Sequence, residues 1–132
     1  MNASTEGARI LLAEDNVVNQ KIACKILEKL GCTVTTAENG EEAISQWKSG
    51  TYDLVLMDVQ MPVLDGLEAT RRLRVLEEAR EVRTPIVALT ANVMNDDIAR
   101  CKAAGMDSHL PKPFLIEDVK REIAFWMSKK AA

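Results

Sequence analysis

No stretch of this 132-residue chain approaches the roughly 20 consecutive apolar residues that a membrane-crossing helix needs, so no membrane contact is expected of it. Residues 1–7 are small and polar, with neither a basic start nor an apolar middle, and read as a flexible leader rather than a secretory signal. Positive charge is not in excess. With 17 Lys and Arg against 20 Asp and Glu, the net charge of −3 gives no electrostatic footprint for nucleic acid. The three cysteines, Cys24, Cys32 and Cys101, are odd in number and form no Cys-x-x-Cys pair. That argues against a disulfide framework or a zinc site, and for a reducing, cytoplasmic setting in which the thiols act as small apolar residues. Low-complexity stretches, linkers and repeats are also missing. One domain with a real core is expected over residues 8–128, with a frayed tail at 129–132.

What is present is an alternation. The composition, 47% apolar and 28% charged, is that of a globular domain. Strand-like segments at 10–13, 32–37, 54–58, 85–90 and 108–111 each precede a segment of helical spacing. Asn16 is expected to cap a first helix striped by Val18, Ile22, Ile26 and Leu30 and stopped by Gly31. Ala43, Ile44 and Trp47 mark the second, after an Asn39-Gly40 turn. Leu67, Leu73 and Leu76 mark the third, and its Arg- and Glu-rich remainder is expected to be solvated. Met94, Ile98 and Cys101 mark the fourth; Ile116, Val119, Ile123 and Met127 mark the last. Alternating strands and helices imply parallel βαβ units with right-handed crossovers. Covering both sheet faces requires the strand order to reverse once, and the second strand, the least apolar, suits an edge. The expectation is a flavodoxin-like three-layer α/β fold, (βα)5, with a parallel five-stranded sheet in the order 2-1-3-4-5.

The apolar runs end in reactive groups. Leu-Val-Leu-Met closes on Asp58, the first run on Glu14-Asp15, the fourth on Thr90 and the fifth on Lys112-Pro113. Ligands of open α/β sheets bind beyond the carboxyl ends of the strands, so these groups converge. Three carboxylates in one crevice must take up a proton or a cation. A donor set of oxygens without His or Cys suits magnesium, which needs few protein ligands and bridges readily to phosphate. A carboxylate beside that ion can act as a nucleophile towards phosphorus, Lys112 can neutralise a phosphoryl oxygen and Thr90 can donate to another. No general base for activating water is evident, which suits a phosphate that must persist.

These residues resemble the receiver domains of two-component response regulators. The likeness runs from about Arg9 to Met127 and rests on Leu-Leu-Ala-Glu-Asp-Asn (11–16), Tyr-Asp-Leu-Val-Leu-Met-Asp (52–58), Met-Pro (61–62), Asp65-Gly66, Ala-Leu-Thr-Ala (88–91), Ala-Gly-Met-Asp (104–107) and Lys-Pro-Phe (112–114). It implies that Asp58 accepts a phosphoryl group from a phosphohistidine on a histidine kinase or histidine phosphotransfer domain. It implies that Asp15, Asp58 and the Gln60 carbonyl ligate magnesium, with Glu14 assisting through water. Thr90 becomes the switch hydroxyl, Lys112 the phosphate-binding lysine, and the Lys112–Pro113 bond cis. The surface of the fourth helix, fifth strand and fifth helix would then change. One departure stands at His109, where the family often has a Tyr or Phe that swings inward, so a weaker switch is expected there. Asn19-Gln20 and the Asp-Val-Gln-Met-Pro loop (58–62) are similar to receivers of hybrid histidine kinases, which implies a receiver excised from such a parent rather than an enzyme in its own right.

Other readings compete. A stand-alone receiver is one. An aspartyl-nucleophile phosphatase of the haloacid-dehalogenase-like class would want a second acid two residues after its nucleophile, where Gln60 stands. A flavodoxin-like electron carrier would want a phosphate-cradling loop where Glu14-Asp15-Asn16 would repel one. Taken singly, Thr90 reads as a helix cap, Lys112 as a surface charge, Asn16 as a cap and Asp65-Gly66 as a turn. Trp47 and Trp126 read as packing residues, with Phe125-Trp126 a candidate partner contact.

Overall fold

The computed structural model describes residues 5–91, 95–112 and 115–131. The elements are β1 (Arg9–Ala13), α1 (Val17–Lys29), β2 (Thr33–Ala37), α2 (Gly40–Ser49), β3 (Leu54–Asp58), α3 (Gly66–Arg80), β4 (Ile86–Thr90), α4 (Asn95–Ala104), β5 (Ser108–Pro111) and α5 (Ile116–Ala131). All four strand pairings are parallel and the order is β2-β1-β3-β4-β5, as expected. The expected cis bond at Lys112–Pro113, and the expected core position Met94, lie outside the described residues.

Pleating explains the continuous apolar runs. In β1, Ile10 and Leu12 join Leu54 and Leu56 of β3 in a cluster with Ala23 and Leu27 of α1 and Val119 and Ile123 of α5. Leu11 and Ala13 join Val55 and Met57 on the other face, packed by Ala43 and Trp47 of α2, Leu67 and Leu73 of α3 and Cys101 of α4. Side chains of successive strand residues point to opposite faces, so a strand covered on both sides must be apolar throughout. The order reversal therefore sets α1 and α5 against one face and α2, α3 and α4 against the other. Among the described residues no helix is long and apolar enough to cross a membrane.

Three expectations need correction. The buried face of α1 is Ala23 and Leu27, whereas Val18 and Ile22 are 64% and 47% exposed. A spacing of four advances about 40° per step around a helix, so the stripe from Val18 to Leu30 winds about 120° and cannot face the sheet along its length. Ile116 of the last helix is likewise exposed, while Val119 and Ile123 are buried. Ahead of β1, Thr5 is buried, its hydroxyl donates to the Leu30 carbonyl at 2.7 Å, and Gly7 N donates to Gly31 O at 2.9 Å. At the other end, α5 runs through Ala131. In α3, Glu77 is buried and Arg74 is largely covered, so the polar remainder of that helix is not simply solvated.

Candidate functional site

Beyond the carboxyl ends of β1 and β3 the chain turns away from the sheet in opposite senses, as it must at the point where the strand order reverses. Ala13 lies beside Met57 in the ladder, so the residues that follow them, Glu14 and Asp58, emerge together. Glu14 is still tied to the sheet, with its N–H donating to Ala37 O at 3.0 Å, and is fully buried. Asp15 has left the strand and is exposed. Carboxylate oxygens of Glu14, Asp15 and Asp58 all lie within 4.8 Å of one another.

Lys112 enters from the end of β5. Its backbone N–H donates to Thr90 O at 2.9 Å, and its ammonium donates to Asp58 Oδ2 at 2.8 Å and Glu14 Oε1 at 3.1 Å. Asp58 Oδ1 accepts the Gln60 N–H at 3.0 Å, so both oxygens of the buried Asp58 are held. Glu14 Oε2 is buried without a hydrogen-bond partner. The consequence is electrostatic. Burial first, then the hydrogen bond and negative charge of Asp58, push the Glu14 carboxyl up to about 7, with Lys112 pulling the other way. Burial also opposes the charge on Lys112, but hydrogen bonds and charges from Asp58 and Glu14 outweigh it and raise its pKa.

An open cleft of about 820 Å³ exposes this cluster, lined by Glu14, Asp15, Asp58, Gln60, Thr90 and Lys112 among others. The structure thus brings together every expected site residue except His109. That residue is half-buried on the edge strand β5, paired with Ala88, and does not line the cleft. Asn16 and Asp65 serve as helix caps, accepting from Asn19 N at 3.0 Å and Glu68 N at 2.8 Å. Trp47 is buried packing, with its indole N–H reaching Thr84 Oγ1 at 3.3 Å. The cleft also includes Asp97, Arg100 and Cys101 of α4, which no strand-end pattern could point to because they sit inside a helix. An all-oxygen donor set with one orphaned buried oxygen fits a hard divalent cation.

Comparison with known proteins places this geometry. The profile of the response regulator receiver domain matches residues 10–124. Hybrid signal transduction histidine kinase G of Dictyostelium discoideum is 44% identical over 119 residues, covering 89% of this chain and 3% of that protein. Histidine kinase 1 of Arabidopsis thaliana is 41% identical over 143 residues, covering 83% of this chain and 12% of the relative. The chain therefore spans a small fraction of these kinases' length. The receiver domain of a sensor histidine kinase from Pseudomonas aeruginosa, solved with magnesium in its active-site cleft, is 43% identical with a TM-score of 0.85, covering 92% of this chain and 98% of that one. The receiver domain of the Saccharomyces cerevisiae response regulator Ssk1, solved with the histidine phosphotransfer protein Ypd1, superposes with a TM-score of 0.91 at 31% identity, covering 100% of this chain and 94% of that one. With the profile spanning both strand ends that form the acidic cleft, the chain belongs to the response regulator receiver domain family.

Proposed function

We propose that this chain, over residues 8–128, is the phosphoacceptor module of a phosphorelay, with Asp58 as the acceptor. The observation that carries the reading is Asp58 itself: a buried carboxylate at a strand end, held by Lys112 and Gln60 N–H, beside two further acids in an open cleft. An Asp58 oxygen attacks the phosphorus of a phosphohistidine, the O–P bond forms as the N–P bond breaks, and the imidazole leaves with the electron pair and takes up a proton. Lys112 follows the charge from Asp58 Oδ2 onto a phosphoryl oxygen, and the Thr90 hydroxyl donates to another. Asp15, Asp58, the Gln60 carbonyl and Glu14 would hold magnesium, which would supply positive charge to offset the clustered acids and the incoming phosphoryl group.

The donor is a histidine kinase or a histidine phosphotransfer domain. Support comes from the histidine kinases whose receivers this chain resembles and from the relative crystallised with such a phosphotransfer protein. The parent is a hybrid histidine kinase working in the cytoplasm, and this domain accepts phosphate without itself being an enzyme. The test is phosphate mapping. Incubation with a small phosphodonor and magnesium, followed by borohydride trapping, should label Asp58, and Asp58→Asn should abolish the label. Label persisting at wild-type level in Asp58→Asn would overturn the assignment.

A further inference from the structure

Alternation along a strand would send Glu14 and Asp15 to opposite faces, yet both carboxylates reach the same cluster. The chain must therefore turn at the peptide between them. Glu14 is still bonded to β2 through its N–H, so the turn begins at its carbonyl. That carbonyl oxygen accepts a hydrogen bond from the side-chain amide of Gln20, Nε2 to O at 3.1 Å. Gln20 is a rigid anchor. It lies in α1, its own N–H donates to Asn16 O at 2.9 Å, and the Asn16 side chain caps the same turn through Asn19 N. The strand end, the cap and the first turn of α1 are closed into one hydrogen-bonded unit.

We propose that Gln20 is a positioning residue for the acidic pair. It fixes the plane of the Glu14–Asp15 peptide, and so aims the Asp15 side chain at the carboxylates of Glu14 and Asp58. The half-buried Gln20 acts on the backbone, not as an oxygen donor to the cation. This rests on reading the cluster as a magnesium site. A group that orients a ligand from behind typically changes metal affinity by roughly 10- to 100-fold, and Gln20 acts on one ligand through one bond, which places its effect at the low end, about tenfold.

The test separates donor from bulk. Gln20→Met keeps length and helix propensity but has no N–H to give, whereas Gln20→Arg restores a donor. Magnesium titration by calorimetry should show Gln20→Met about tenfold weaker than wild type. Gln20→Arg should recover most of the loss, and both variants should melt near wild type when metal-free. The metal-free Asp15 amide resonance should shift in Gln20→Met and return in Gln20→Arg. Wild-type magnesium affinity in Gln20→Met, or a loss that Gln20→Arg does not repair, would overturn the proposal. Asp15→Asn in the same titration tells the two readings apart. If it binds as wild type does, the magnesium site itself is misdrawn and the positioning role falls with it. If it weakens binding while Gln20→Met does not, only the positioning role fails.

Discussion

At the carboxyl ends of the strands, Glu14, Asp15 and Asp58 gather around the ammonium of Lys112, and one buried oxygen of Glu14 has no partner. At the amino ends of β4 and β5, two carboxylates, Glu77 and Asp107, meet two guanidinium groups, Arg74 and Arg83. Here every carboxylate oxygen is engaged. Glu77 Oε1 accepts from Arg74 at 2.6 Å and Oε2 accepts from Thr84 N. Asp107 Oδ1 accepts from Arg83, and Oδ2 accepts from Arg74 at 2.7 Å and Ile86 N at 2.8 Å. Arg74 further donates to the Gly105 and Thr84 carbonyls at 2.9 and 2.8 Å. One end is charge-matched and saturated, so it locks α3 to the entry of β4 and to the turn before β5. The other is acid-rich and unsaturated, which is what the proposed cation and phosphoryl group would require. The contrast distinguishes structural from functional charge: not burial, which both share, but whether the partners balance.

The largest expected effect breaks the matched end. Arg74→Ala leaves the buried Glu77 and the partly buried Asp107 without their shared cation, and removing one partner of such a network typically costs about 3–5 kcal/mol. Denaturant unfolding should show that loss, while magnesium affinity of the folded fraction stays near wild type because the cleft is untouched. A loss below about 1 kcal/mol would show that Arg83 and the backbone N–H groups suffice.

The next effect sharpens the unmatched end. The Glu14 carboxyl is raised from 4.5 to about 7 in the folded chain. Between those values the folded protein holds a proton that the unfolded chain has released, so this contribution to stability is whole below about pH 4.5 and is lost as pH rises through 7. Metal-free protein should therefore lose on the order of 2 kcal/mol between pH 5 and pH 8 from this group, and Glu14→Gln should flatten that part of the profile. Magnesium affinity should rise over the same interval, because binding requires the charged carboxylates. Equal slopes in wild type and Glu14→Gln would place the coupled proton elsewhere.

The two ends also differ in how legible they were in the sequence. The functional end was readable because each of its groups terminates an apolar strand, and the strand order follows from two-sided cover of the sheet. Glu14, Asp15, Asp58, Thr90 and Lys112 all lie where that logic puts them. The matched end was not. Arg74 and Glu77 form an i,i+3 pair that looks the same facing water or facing protein, and the groups that bury it, Gly105 and Asp107, lie 31 and 33 residues further on. The stripe of α1 misled for a related reason, since apolar residues on a helix flank are not all turned to the sheet. Gln20 was visible only as a family likeness, because a side chain bonding a carbonyl six residues back leaves no periodic trace.

The smallest effect compares strain at the two ends. Val63, in the loop after Asp58, has φ 67° and is 76% exposed, while Glu81, at the far end of α3, has φ 55° as a left-handed helix cap. Around Val63, Leu64 N donates to Pro62 O at 2.7 Å, closing a three-residue turn of a kind that is rare and strained. A β-branched side chain fits positive φ badly, whereas an unbranched glutamate tolerates it better. The turn persists because Leu64 O accepts from Gly40 N at 2.9 Å, at a point where a Cβ on Gly40 would collide with that carbonyl. Val63→Gly should therefore stabilise the metal-free protein by about 1 kcal/mol, part of the relieved strain being offset by the entropy of the freer unfolded chain. Glu81→Gly should gain less. Chemical unfolding of the two variants side by side ranks them, and a Val63→Gly protein no more stable than wild type would mean that the acidic end carries its charge imbalance without backbone strain beside it.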